Sequence, residues 1–372
     1  MSWDQRILTD AELMPATPDN LLSRVKSLMA QQKTAWPQLR DAISGFDEMR
    51  YKKLLAAGSV VLAQNNPRRI VSTAARVDSA TIKERPCFLC PENLPPEEKG
   101  IAFKEDFVIL CNPFPVLKNH LVITSRLHTP QTVIGNIGHM LDLAGRLGDE
   151  WFVLYNGPQC GASAPDHLHF QACSKDNIPI FDEIETWKRK TITRGAGLEE
   201  FTLLDYRLNL LAARCSNPDT LVQWFNEAVK YLQNLTNSRE EPLINIIIGI
   251  KNGELTLIVF PREKHRPDCF FAEGDAKLTV SPASIDLAGV LVVPDPGHFD
   301  KITDIDAGNI FREVTLNDSE FEEWVTNQSL DDQSFAPGIS GRRTPYAVIF
   351  EADGMTTWLR SPRHNCWAST RP

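Results

Sequence analysis

Asn156-Gly-Pro-Gln-Cys160-Gly-Ala-Ser-Ala-Pro-Asp166-His-Leu-His-Phe-Gln171 is the stretch whose spacing organises the chain. His167, His169 and Gln171 alternate along it. On an extended strand alternate residues share a face, so two imidazoles and an amide can meet on one surface. The preceding segment, Trp151 to Tyr155, is apolar and strand-like. The loop between carries Gly157, Pro158, Gly161 and Pro165, and it is expected to bring backbone N–H groups close to something. An imidazole pair beside such a loop suits phosphate chemistry or metal binding.

Working outward, Phe107 to Cys111 and Leu121 to Thr124 read as a hairpin with a wide loop, turned by Asn112-Pro-Phe-Pro and ending at Ser125-Arg-Leu-His128. A helix is expected over Thr132 to Leu147. The order strand, strand, helix, strand, strand describes an α+β unit with an antiparallel sheet. Upstream, Leu21, Leu22, Val25, Leu28 and Met29 recur at helical spacing, Pro37 interrupts, and a second helical run is expected from Leu39 to Leu55. Residues 1–56 therefore read as a helical N-terminal cap. Val60 to Ala63 and Ile70 to Ala75 read as strands. In the turn between them Arg68 and Arg69 could reach a phosphate, the bland alternative being a solvated turn.

Downstream, Leu221 to Leu235 is an amphipathic helix. Leu243 to Ile250 and Glu254 to Phe260 flank Lys251-Asn-Gly253, the chain's clearest hairpin signal, with a type I′ turn expected. It runs into Pro261-Arg-Glu-Lys-His-Arg-Pro267, where Lys264 and His265, like Lys118 in the first half, are candidate phosphate contacts, with a plain surface role the alternative for each. A strand over Leu287 to Val293, a helix over Ser319 to Asn327 and a hairpin around Asp353-Gly354 complete the reading. Each half holds an apolar hairpin ending in a basic or His-bearing turn. That predicts an internal duplication: a catalytic half at 57–185, a connecting helical region at 186–240 and a second half at 241–372 without Cys-x-x-Cys or His-x-His.

The 372 residues carry a net charge of −9. An acidic chain is a poor non-specific nucleic-acid binder, so an anionic ligand must be held by local cations and amides. No window approaches the roughly 20 apolar residues of a membrane span. The first residues lack the basic and apolar regions of a secretory signal. The 8 cysteines are scattered apart from Cys87 and Cys90. That pattern fits thiols in a reducing, cytoplasmic setting better than a disulfide framework.

Two residue sets carry chemistry. Cys87-x-x-Cys90, followed by a proline, is a zinc-knuckle type of turn. With His128 and His167 it makes a closed set of two thiolates and two imidazoles. Such a Zn²⁺ site is structural, worth on the order of 10 kcal/mol of apparent binding energy to folding. Two buried cysteines in a turn are the alternative. The second set is His169 with Gln171, Asn156 and the loop from Gly157 to Ser163, including Gly161. A neutral imidazole is a good nucleophile. Attack on an α-phosphorus would give a nucleotidyl-imidazole, which an acceptor would resolve. Gln171 can hydrogen-bond phosphoryl oxygens but cannot cycle a proton. Loop amides would stabilise the charge on the transferring group. The alternative is a pair of satisfied strand histidines.

Arg-Pro-Cys87-Phe-Leu-Cys90, Asn112-Pro-Phe-Pro, Asn119-His-Leu-Val-Ile and Asp166-His-Leu-His-Phe-Gln171 resemble the histidine-triad superfamily. The resemblance is to its transferase branch of galactose-1-phosphate uridylyltransferases, diadenosine tetraphosphate phosphorylases and GDP-hexose phosphorylases. Hydrolases of that superfamily carry a third histidine where this chain has Gln171. The resemblance covers about residues 60–180 well, 240–300 loosely and 1–50 not at all. It implies a duplicated, two-half architecture with His169 as covalent nucleophile and Gln171 as phosphate-binding glutamine. It also implies that Asn156 supports the phosphates, that Asn112 contacts the nucleotide, and that Cys87, Cys90, His128 and His167 hold zinc. Pro165-Asp166 and the short loop Gly161-Ala-Ser163 depart from the pattern and leave base and sugar specificity open. The implied substrates are a nucleotide sugar or dinucleoside polyphosphate, with inorganic phosphate or a sugar phosphate as acceptor. No nucleic-acid or membrane partner is expected, and an isologous homodimer is the default assembly. A non-catalytic nucleotide-binding protein, a histidine-triad type hydrolase and a merely zinc-organised protein are the competing readings.

Overall fold

A computed structural model describes residues 2–14, 16–17, 19–70, 79–195, 197–331, 348–352 and 355–359. The chain forms two compact units, Met1–Ser329 and Leu330–Pro372. Within the second, Val348–Ala352 and Met355–Leu359 pair as an antiparallel hairpin. Asp353 and Gly354, the expected turn, lie outside the described residues, as do residues 71–75 of one expected strand.

In the first unit, Asn20 caps helix α1 (Leu21–Ala35), its side chain accepting from Ser23 N–H at 2.9 Å. Pro37 stands in the first turn of α2 (Pro37–Ser44), where its missing N–H costs nothing. The helical run expected to continue to Leu55 stops here. Arg50–Ala56 is instead strand β1, hairpinned to β2 (Ser59–Asn65). Ala57 (φ 47°) and Gly58 (φ 81°) make the two-residue turn, whose left-handed backbone matches the strand twist. Leu54 and Ala56 are buried while Leu55 is exposed, a period of two hidden behind an adjacent Leu-Leu pair.

The main sheet is built from β3 (Gly100–Phe103), β4 (Phe107–Cys111), β5 (Leu121–Ser125), β6 (Trp151–Asn156), β7 (His169–Ser174), β8 (Arg189–Gly195), β9 (Leu198–Leu203), β10 (Leu211–Cys215), β11 (Ile244–Lys251) and β12 (Glu254–Pro261). Its order is β3-β4-β5-β7-β6-β11-β12-β10-β9-β8, a 10-stranded sheet. All its pairings are antiparallel. Helix α3 (Ile137–Leu147) connects β5 to β6, and α4 (Pro218–Leu235) connects β10 to β11. Each half of the sheet thus repeats one strand order around one helix, and the halves meet where β6 pairs with β11.

This corrects the expected boundaries. The second half begins at Arg189, and residues 186–240 hold β8, β9, β10 and α4 rather than a helical connection. The Asn-Gly hairpin, with Asn252 at φ 52° and Gly253 at φ 82°, occupies the place of β6–β7 and not that of β4–β5. β8 is an edge strand with half-exposed residues, so no apolar alternation marked it.

Side chains of β6 separate the two faces. Trp151, Val153 and Tyr155 join the core under the helices, and Phe152 and Leu154 join the other. Gln171 lies opposite Leu154 in the β6–β7 ladder, so Gln171 and His169 belong to the second face. A smaller 3-stranded sheet, in the order β1, β2 and β13 (Val290–Val292), contributes Leu54, Val61, Ala63 and Val290 to that core. β13 runs parallel to β2. The strand expected over Leu287–Val293 is shorter because Ser284–Leu287 is a helical turn.

Candidate active site and metal cluster

At the end of the β6–β7 ladder the Gln131 amide stands between the strands. Gln131 Oε1 accepts from His169 N–H at 2.8 Å, and its Nε2 donates to the carbonyls of Asn156 and His169 at 3.0 and 3.1 Å. Gln131 is buried and fixes the backbone on which both side chains ride. His169 Nδ1–H donates to the His167 carbonyl at 2.8 Å, which leaves the lone pair on Nε2. Burial pushes the His169 pKa down to about 4, opposed by that backbone hydrogen bond.

Gln171 is held by a residue whose role the sequence did not disclose. Val116 N–H donates to His120 Nδ1 at 3.1 Å, so the proton of neutral His120 is on Nε2. That Nε2–H donates to Gln171 Oε1 at 2.6 Å. The glutamine amide is therefore turned with its NH₂ group away from His120, as a donor. Burial holds His120 neutral, its pKa lowered to about 4, and the nearby Arg69 charge adds to the lowering. Arg69 is half-buried, with Nη1 donating to the Phe114 carbonyl at 2.9 Å.

Asn156 is oriented from the second half of the sheet. Its Oδ1 accepts from Asn245 Nδ2 at 2.9 Å, Ser284 N–H at 2.9 Å and Ser284 Oγ–H at 2.7 Å. With Oδ1 saturated, Nδ2 is the outward donor. Asn245 Oδ1 in turn accepts from Arg262, a fully buried guanidinium that also donates to the Val314, Pro282, Lys264 and His265 carbonyls. Arg262, Asn245 and Ser284 are far away in sequence and carry no motif.

The loop glycines serve packing. A Cβ on Gly157 would meet the Ile244 carbonyl at 2.7 Å, and one on Gly161 (φ +96°) would meet Ala283 Cβ at 2.7 Å. The amides of Gly157, Cys160 and Ala162 donate to backbone carbonyls. Those of Gly161 and Ser163 have no acceptor among the described residues. Asn112 lines an adjoining cavity, its Oδ1 accepting from Phe114 N–H at 2.8 Å.

Cys87, Cys90, His128 and His167 come together with every ligand atom within 4.8 Å of the others. Cys87 Sγ lies 3.2 Å from His167 Nδ1, and Cys90 Sγ lies 3.3 Å from His128 Nδ1. Zinc–sulfur and zinc–nitrogen bonds in a tetrahedron put S and N about 3.5 Å apart, so the cluster fits such an ion. His167 Nε2–H donates to the Ser125 carbonyl at 2.8 Å, which aims Nδ1 inward. Burial and the neighbouring Cys87 push the Cys90 thiol up to about 12, a cost that a dication would reverse. Arg6 pins the turn from behind, donating to the Pro91, Leu94, Pro95 and Glu98 carbonyls.

Residues 184–331 match the family described as GDPGP1-like, C-terminal domain. Residues 28–174 match a domain of unknown function, DUF4922. Yeast Ap4A phosphorylase solved with Ap4A superposes with a TM-score of 0.51 at 14% identity, over 75% of this chain and 96% of that one. The same yeast enzyme without that ligand superposes at 0.50, with 14% identity over 75% and 93%. The chain has the histidine-triad-like fold of that phosphorylase, with a GDPGP1-like region over 184–331. A uridylyltransferase aligns at a TM-score of 0.39 and 11% identity, over 77% of this chain and 100% of that one. No curated protein matches the sequence significantly.

Two expected phosphate contacts have intramolecular partners of their own in this histidine-triad-like fold. Arg68 Nη1 donates to the Asp41 carbonyl at 2.6 Å and packs on Gly45, so it fastens the end of α2. Lys264 pairs with Asp268 at 2.6 Å and with Glu313, so its charge is engaged there. His265 is mostly buried and its pKa is pushed down to about 4, first by burial and then by Arg266 and Arg262. Lys118 does border the cavity beside Asn112. No helix among the described residues is long and apolar enough to cross a membrane.

Proposed function

We propose that the protein transfers a nucleotidyl group through covalent nucleotidyl-His169, from a nucleotide sugar or dinucleoside polyphosphate to inorganic phosphate or a sugar phosphate. The observation that carries this reading is the fixed tautomer of His169. Its Nδ1–H is tied to the His167 carbonyl at 2.8 Å, and Nε2 keeps the lone pair. Nε2 would attack the α-phosphorus, and the bond to the leaving phosphate oxygen would break with its electron pair staying on that oxygen. The carbonyl at Nδ1 would stabilise the imidazolium character that develops. An acceptor phosphate oxygen would then attack, the P–N bond would break, and the pair would return to Nε2.

Gln171 NH₂, Asn156 Nδ2 and the amides of Gly161 and Ser163 would donate to the phosphoryl oxygens. Gln171 has no proton to relay, which supports hand-over to an acceptor in preference to hydrolysis. Cys87, Cys90, His128 and His167 would hold zinc. Bound there, the ion supplies a cross-link between the turn, the hairpin end and the strand carrying His169. The test is incubation with α-³²P-labelled nucleotide sugars and dinucleoside polyphosphates. Label is expected on the wild-type protein and absent from His169→Ala. Retained label on the variant would sink the mechanism.

A further inference from the structure

We propose that the cleft between the N-terminal helices and the turn after β4 is a second phosphate subsite. It would take a phosphate ester carried by the substrate in addition to the phosphorus that His169 attacks. The subsite stands on its own side chains and rests on the function proposed above only for the identity of that phosphorus.

The cleft encloses about 460 Å³, the volume of a small-molecule site. Lys33 of α1, Arg40 of α2 and Lys118 of the turn reach it from three separate elements. None of the three side chains has an ion-pair or hydrogen-bond partner among the described residues. Asp47 is the carboxylate on the lining. In a chain of net charge −9, this lining carries three cations without partners among the described residues against one carboxylate. Arg68 nearby shows the usual fate of such a cation, tied to a carbonyl.

Like charges converging on a concavity repel one another until an anion arrives, and low-dielectric walls focus the field. Asn112 adds a neutral donor, because its Oδ1 is taken by Phe114 N–H. Leu39 and Phe46 give an apolar wall against which a base or sugar face can rest. His120 lines the same cleft and bonds Gln171 at 2.6 Å, so cleft and reacting centre share one wall. The N-terminal helices thus contribute ligand-facing groups as well as cover.

The phosphate ester has two sources, a phosphate on the ribose or the far end of a polyphosphate chain. Equilibrium dialysis separates them, using adenosine and guanosine 5′-monophosphates, the matching 3′,5′-bisphosphates, the matching 5′-triphosphates and inorganic tripolyphosphate. The wild-type chain is compared with Lys33→Gln/Arg40→Gln/Lys118→Gln. In the wild type, an added phosphate is expected to tighten binding by about tenfold, or 1.4 kcal/mol. The gain should shrink as salt rises. Gain from the bisphosphates assigns a ribose phosphate, and gain from the triphosphates or tripolyphosphate assigns the chain end.

The triple variant should lose the gain and bind monophosphates as before, with an unchanged melting temperature because all three side chains are exposed. Each single substitution should lose part of the gain, which keeps the test informative if the triple variant folds poorly. Absence of binding by every ligand, absence of gain in the wild type, or a gain that survives the substitutions would each overturn the proposal. A chain that shows the gain but never labels His169 would refute the transfer mechanism and leave the subsite standing.

Discussion

His120→Phe isolates the orientation of Gln171. The ring keeps its place in the buried wall, but both of its hydrogen bonds vanish. Val116 N–H, which donates to Nδ1 at 3.1 Å, is left without an acceptor in a buried setting. That costs about 1–3 kcal/mol of stability, read as a lowered denaturant midpoint. Gln171 Oε1 loses the Nε2–H donor at 2.6 Å, so the amide can turn and present its carbonyl to the phosphate. One misdirected hydrogen bond to a charged group is worth about 1.5–3 kcal/mol. The rate of His169 labelling in a single turnover should fall by about 10- to 150-fold.

A double-mutant cycle separates this from general damage. If His120 acts only through Gln171, then His120→Phe costs little further rate once Gln171→Ala is in place. Additive losses in the cycle, or an unchanged labelling rate in folded His120→Phe, would refute the reasoning.

Stability should also depend on pH through the same ring. The folded pKa of His120, about 4, lies below the ordinary imidazole value of 6.5, so the unfolded chain binds the proton first. Its contribution is complete above pH 6.5 and is lost as pH falls toward 4, by up to about 1.4 kcal/mol per unit. His120→Phe should show a shallower acid loss than the wild type in urea melts, and parallel slopes would remove His120 as the cause. Chelation, or Cys87→Ala, should release about one zinc per chain by elemental analysis and lower the melting temperature, since structural zinc carries folding energy. A chain that melts identically with and without chelator would contradict the structural role. Asn245→Leu removes one of the five acceptors of the buried Arg262 guanidinium and one of the donors to Asn156 Oδ1, so a loss of about 1–3 kcal/mol is expected with slower His169 labelling. A full labelling rate in that variant would show that Asn156 needs no orientation from the second half.

Local pattern revealed what lies close in sequence. The His-x-His-x-Gln segment, the Cys-x-x-Cys turn and the Asn-Gly hairpin are short-range signals, and the structure builds a strand from His169 onward, a turn and a hairpin there, with His167 in the loop just before the strand. His128 joins the cysteines because a strand end has few places to go once β4 and β5 pair. Three things stayed hidden for definite reasons. Leu54 and Leu55 fit helical and alternating periods equally, and the deciding Ala57-Gly58 turn needs left-handed backbone at an alanine. β8 has no core-facing stripe because it is an edge. Gln131, Asn245, Ser284 and Arg262 act through tertiary hydrogen bonds, and a lone glutamine, asparagine, serine or arginine carries no sequence mark of its partner.

The seam between β6 and β11 sets a schedule for synthesis. Asn156 and Asn245 are 89 residues apart, and β6 cannot pair on that side until β11 has emerged. At roughly 5–20 residues per second, the interval is on the order of 4–18 s. Throughout it, an apolar strand with every residue destined for burial offers an open hydrogen-bonding edge. The nascent first half, with its metal ligands and His169 already made, is therefore the species most in need of protection from its neighbours on the same polysome.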